Sequence, residues 1–116
     1  MAWRVERKDS VDRDLDQILV HLVETALGLG EPVESAHQRA SKRLGSIHAA
    51  MEGLASIPYQ GTRHPELGDG LRQVTKDQAI HYFELDEAKK VIAVLAIFFS
   101  GQHHNRRILA RLAMDQ

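Results

Sequence analysis

The chain has 116 residues, 43% of them apolar and 27% charged, the size and balance of one ordinary globular domain spanning residues 1–116, and too short for two. There is no cysteine, which removes disulfides, thiolate metal sites and cysteine nucleophiles together. Lysine and arginine number 15 against 16 acidic residues, so no global positive field is available to hold nucleic acid, and any polyanion binding has to be local.

Trp3-Arg4-Val5-Glu6-Arg7 alternates apolar and charged residues, the period of a half-buried strand, and the Asp9-Ser10 pair behind it is suited to cap a helix. From Val11 the apolar positions Leu15, Ile18, Leu19, Leu22, Val23, Ala26 and Leu27 step by three and four, one helical stripe that ends in Gly28-Leu29-Gly30. Pro32 suits the first turn of a second helix, whose stripe of Val33, Ala36, Ala40, Leu44, Ile47, Met51 and Leu54 runs to Pro58. Joined by so few residues, the two helices form an antiparallel hairpin with apolar surface left over, and a sheet is the expected cover.

Residues 59–70 read as a loop, with Gly61, Pro65, Gly68 and Gly70. Three strands follow over Leu71–Val74, Ala79–Leu85 and Val91–Phe99, joined at Lys76-Asp77 and Asp86–Lys89 by turns short enough to force antiparallel hairpins. The last strand is almost wholly apolar, as a central strand covered on both faces would be. Its nine residues are about half of a bilayer span. The amino-terminal residues hold no apolar stretch of the signal-peptide kind, so the cytoplasm is the expected compartment.

A short helix from about Asn105 to Met114 closes the chain, with Ile108, Leu109 and Leu112 expected inward and Arg107 and Arg111 outward. The predicted fold is α+β: an N-terminal strand, an antiparallel helical hairpin, a three-stranded antiparallel meander completing a small sheet, and a short C-terminal helix. Residues 101–114 form the one basic patch, with His103, His104, Arg106, Arg107 and Arg111 and no carboxylate.

This order, together with Ile57-Pro58, Gly61, Pro65, Leu67-Gly68-Asp69-Gly70-Leu71-Arg72, Ile80-His81-Tyr82, the strand ending at Phe99, and Gly101 before Ile108-Leu109, resembles the RelE/ParE toxin superfamily, and the ParE branch more than the RelE branch. The resemblance implies a growth-arresting toxin of a type II toxin–antitoxin system of the kind that stabilises plasmids, neutralised by a small antitoxin from a neighbouring gene. ParE-like members imply DNA gyrase as the target, and RelE-like members imply ribosome-dependent mRNA cleavage; the shared scaffold does not choose.

The residues weigh against cleavage. Where RelE-like nucleases carry an arginine early in the third strand this chain has Ala79, and where they often carry a tail tyrosine it has Ile108-Leu109. Acid–base work would then fall to His103 and His104, the remaining candidates for catalysis; their plainer reading is as exposed polar residues at a helix start. Arg72 is either a cationic contact to target or antitoxin or an internal salt bridge to a carboxylate such as Glu84. Arg106, Arg107 and Arg111 are candidates for contacting an acidic strip on antitoxin or target. His81 and Tyr82, adjacent on a strand, point to opposite faces, and Tyr82 reads as scaffold. No metal or cofactor is expected. The resulting expectation is a ParE-like toxin that inhibits gyrase by binding. The rivals are a RelE-like endoribonuclease and a toxin-fold binding protein that has lost its toxic target.

Overall fold

The computed structural model describes residues 2–66, 70–99, 108 and 110–112. Strand β1 (Arg4–Arg7) leads into α1 (Asp9–Gly28) and α2 (Val33–Glu52), after which a 3₁₀ turn (Gly53–Ser56) brings the chain back to the sheet. Then come β2 (Thr62–Arg63), β3 (Leu71–Lys76), β4 (Ala79–Asp86) and β5 (Val91–Phe99). The five strands lie in the order β1-β5-β4-β3-β2. The helical hairpin carries the chain from β1 at one edge of the sheet to β2 at the other; β1 runs parallel to β5, and the other pairs are antiparallel. Residues 108 and 110–112 are helical.

Two apolar layers result. On one face Val11, Leu15 and Ile18 of α1 and Ile47 and Met51 of α2 pack on Phe83, Ile92, Val94 and Ile97. On the other, Leu71, Ile80, Tyr82, Leu95 and Phe98 are covered by Ile108 of the tail helix. The uninterrupted apolar run in β5 thus has the cause expected of it, burial on both faces.

Several local expectations need correction. Asp9 and Ser10 do not cap α1 from outside; they lie inside its first turn, where the Asp9 and Asp12 carboxylates face the positive end of the helix, and the cap position is Lys8. The β3–β4 hairpin turns at Asp77-Gln78, with φ of 53° and 63°, one residue later than Lys76-Asp77. Both central residues are left-handed, the geometry that matches strand twist, although glutamine gives little sign of it in sequence. The stretch read as loop contains β2, an edge strand whose Thr62 pairs with Gln73. Gly61 makes that pairing possible: its φ is +90°, and a Cβ there would meet the Gln73 carbonyl oxygen at 2.6 Å. The helical stripes also outrun the sheet, leaving Leu27, Leu29 and Val33 exposed at the hairpin tip.

Candidate functional site

Asp14 lies on the buried stripe of α1 between Val11, Leu15 and Ile18, and only 1% of its side chain is exposed. A carboxylate in that position requires both a cation and hydrogen-bond donors. β5 creates the need. β1 pairs with β5 only from Val91 to Val94, and the chain leaves the sheet where the Lys8 amide donates to the Val94 carbonyl. Across the strand, a register shift at Tyr82/Phe83 places Ala96 and Val94 opposite those two residues and leaves Leu95 as the extra residue of a bulge. Beyond Val94 the β5 edge therefore needs partners that no strand supplies.

Asp14 and Arg111 supply them. Asp14 Oδ2 accepts from the Ile97 amide at 3.1 Å, and Arg111 Nη1 donates to the Leu95 carbonyl at 3.2 Å. The two side chains meet in a bidentate pair, Nη2 to Oδ1 at 2.6 Å and Nη1 to Oδ2 at 3.0 Å, and Nη1 also reaches Ser10 Oγ at 3.2 Å. The guanidinium carbon sits 5.6 Å from the centre of the Phe98 ring. Arg111 was expected outward and without a nearby acid; it points inward, because its acid comes from α1, far away in sequence. Its charge is compensated within the fold, so the basic patch is weaker than composition suggests.

Arg72 also finds a different partner from the one expected. It stands opposite Phe83, Glu84 being opposite Leu71, and it donates through Nη1 to the Tyr59 carbonyl at 3.1 Å while lying 5.8 Å from the Tyr59 ring. Around it the sheet end carries an aromatic and cationic cluster. Trp3 meets Tyr59 edge to face at 5.8 Å, Lys90 lies 5.1 Å from the Trp3 ring, and the Tyr59 hydroxyl donates to Glu87 at 3.1 Å, which raises the tyrosine pKa. Tyr59 and Ile57 are exposed there. Arg72 is thus placed to orient an accessible ring.

His81 and Tyr82 take opposite faces as expected, yet both are fully buried, since β4 is central. Burial, and next the Lys76 charge, pull the His81 pKa down to about 4. Among the described residues neither ring nitrogen has a hydrogen-bond partner. Ala79 is fully buried beneath the hairpin and Ile108 fully buried on the other face, so both are packing positions. His103, His104, Arg106, Arg107 and Leu109 lie outside the described residues. No group of three metal-ligating side chains occurs among the described residues, and none of their helices is long and apolar enough to cross a membrane.

At the opposite end of the sheet the overhanging hairpin forms a groove with Phe99 and the Asp77–Gln78 turn, walled by Arg39, Lys42 and Arg43 of α2. Nothing in the sequence marks these three cations. They become a set only when the hairpin projects past the sheet.

The helical hairpin on one face of a five-stranded mixed sheet, with helical residues of the tail on the other, is a fold shared with solved toxin–antitoxin structures. Among solved structures the chain is similar to the chromosomal ParDE toxin–antitoxin system from P. aeruginosa, with a TM-score of 0.64 and 22% identity over 85% of this chain and 97% of that one. It is also similar to the RelBE2 toxin–antitoxin complex from Mycobacterium tuberculosis, with a TM-score of 0.58 and 14% identity over 85% and 99% of the two chains. No protein-family model matches the sequence, and the curated proteins include no match.

Proposed function

We propose that this protein is the toxin of a type II toxin–antitoxin pair, that it acts in the cytoplasm by binding rather than by catalysis, and that its target is DNA gyrase. The fold shared with ParDE and RelBE2 structures supports the toxin class. The observation that carries the choice within that class is at Ala79, where RelE-like nucleases carry an arginine: it is a buried apolar side chain in the core layer under the hairpin, and Ile108 of the tail pair Ile108-Leu109 is buried in the layer on the other face. His81, whose pKa burial pulls down to about 4, is sealed from any substrate. Phosphodiester cleavage needs an acid–base pair and cations at an accessible phosphate. Inhibition needs exposed, ordered contact residues, and Tyr59 with Arg72 and Trp3 are of the types that dominate binding surfaces. An antitoxin would cover part of such a surface and block it.

The likeness to RelBE2 favours a second reading, ribosome-dependent cleavage of mRNA, in which His103 and His104 would act. Expression without the antitoxin separates the two. Gyrase inhibition produces filamentation and DNA damage with loss of supercoiling activity in vitro, whereas cleavage arrests translation and leaves cut mRNA.

A further inference from the structure

The overhanging hairpin leaves a groove of about 600 Å³ between its helices and the end of the sheet, within the roughly 300–1,000 Å³ typical of small-molecule sites. Small side chains make the space: Ala26 of α1 and Ala36 and Ala40 of α2 line it where bulkier residues would close it. Aromatic surface lies beside them. The rings of His21 and Phe99 meet at 5.5 Å with 52° between their planes, His21 exposed and Phe99 half-buried, and Leu22 continues the apolar lining.

One wall is cationic. Arg39, Lys42, Arg43 and Ser46 are spaced by three and four along α2 and share that side of the helix. Against the three cations the groove lining holds one carboxylate, Glu31. Glu31 is already taken: it accepts from Arg39 Nη1 at 2.9 Å and from Ser35 Oγ at 2.8 Å, contacts that hold its pKa below the usual carboxylate range. The charges of Lys42 and Arg43 are left over, neither meeting a carboxylate among the described residues. Arg43 is anchored yet under-satisfied. Its Nη2 donates to the Asp77 carbonyl at 3.1 Å, while its buried Nε has no hydrogen-bond partner among the described residues. The Ser46 hydroxyl makes only a long contact of 3.4 Å to the Lys42 carbonyl and so remains available as a donor.

We propose that this groove binds a small phosphomonoester with a flat aromatic body, of the size of a mononucleotide. Two uncompensated cations match a phosphomonoester, which carries about 1.5–2 negative charges at neutral pH; a single carboxylate would leave one of them unbalanced. The phosphate oxygens take Lys42 as a point charge, Arg43 as a planar donor and Ser46 as a neutral hydroxyl donor. The ring lies against Phe99 and His21 over the alanines, where aromatic contact adds to burial. This binding is independent of the toxin reading above, so either can fail without the other.

The test titrates the purified full chain with adenosine monophosphate and uridine monophosphate, and with adenosine and inorganic phosphate as partial ligands, by calorimetry and amide NMR shifts. The expected result is saturable binding of a nucleotide that weakens with added salt and shifts the amides of Thr25, Ser46 and Phe99. Adenosine and inorganic phosphate should each bind about tenfold more weakly or worse. Lys42→Ala, at an exposed position, should raise Kd about tenfold by removing one charge-assisted contact. Ala26→Leu fills the space beside Phe99 and should abolish binding. Melting curves check that both variants stay folded, and Lys89→Ala at the far end of the sheet should match the parent. Absence of saturable binding by either nucleotide overturns the proposal. Adenosine binding as tightly as its monophosphate overturns the anion site, and inorganic phosphate binding as tightly overturns the aromatic one. Amide shifts confined to residues outside the groove, or a Kd unchanged in both variants, overturn the location.

Discussion

Truncating Arg111 to alanine would remove the cation from a carboxylate that has almost no access to water. Asp14 would keep the Ile97 amide and lose both guanidinium contacts, and the Leu95 carbonyl would lose its donor. Leaving one partner of a buried pair uncompensated costs about 3–5 kcal/mol. Because Arg111 retains 19% exposure, the lower figure of about 3 kcal/mol is the expectation, a large part of the roughly 5–15 kcal/mol that holds a domain of this size. At about 4 °C per kcal/mol this lowers Tm by roughly 12 °C. Replacing both charges, Asp14→Leu with Arg111→Met, removes the buried ions but strands the Ile97 amide and the Leu95 carbonyl. The double variant should therefore be no less stable than the single variant and stay about 1–3 kcal/mol below the parent. Urea unfolding of the parent, Asp14→Leu, Arg111→Met and the double variant gives the coupling directly. An Arg111→Ala protein within 1 kcal/mol of the parent, or a coupling near zero, would show that the pair does not hold the tail helix on the β5 edge.

Other predictions follow from single positions. His81 is held neutral in the fold with a pKa of about 4 against an ordinary value of 6.5, so the unfolded chain takes up a proton first as pH falls. Its contribution is present above about pH 6.5 and is lost towards pH 4, at about 1.4 kcal/mol per pH unit or about 3 kcal/mol in all; His81→Leu should flatten that part of the acid titration in a pH series of melting curves. Gly61→Ala forces a Cβ against the Gln73 carbonyl in a left-handed conformation and should cost about 1–3 kcal/mol, with loss of amide protection in β2 by hydrogen exchange. Changing His103 and His104 together to alanine should leave growth arrest intact, as measured by colony counts after induction; loss of arrest with unchanged stability would favour the nuclease reading.

Much of this architecture is legible in the sequence. The hairpin follows from the period of apolar residues, and the doubly covered strand from the run Val91–Phe99. What escapes is whatever depends on residues far apart in the chain. Asp14 interrupts the apolar stripe of α1 without a visible cause until Arg111 and the β5 bulge give it partners, and Arg111 reads as a surface cation until Asp14 is placed beside it. Leu95 as a bulge residue leaves no mark in an all-apolar strand. Thr62-Arg63 is too short to show strand periodicity, and only the left-handed Gly61 hints that something approaches closely. The site is less legible than the fold, because Arg72 with Tyr59 and the groove cations of α2 become sets only once the hairpin is laid across the sheet.

Inhibition by binding, rather than by cleavage, is the property on which the proposed function turns. The direct measurement is gyrase supercoiling and cell-free translation side by side, with the purified chain added at rising concentration and then with its antitoxin restored. Loss of supercoiling with translation untouched, reversed by the antitoxin, is the result expected. Cleaved mRNA in the translation reaction with gyrase fully active would contradict it.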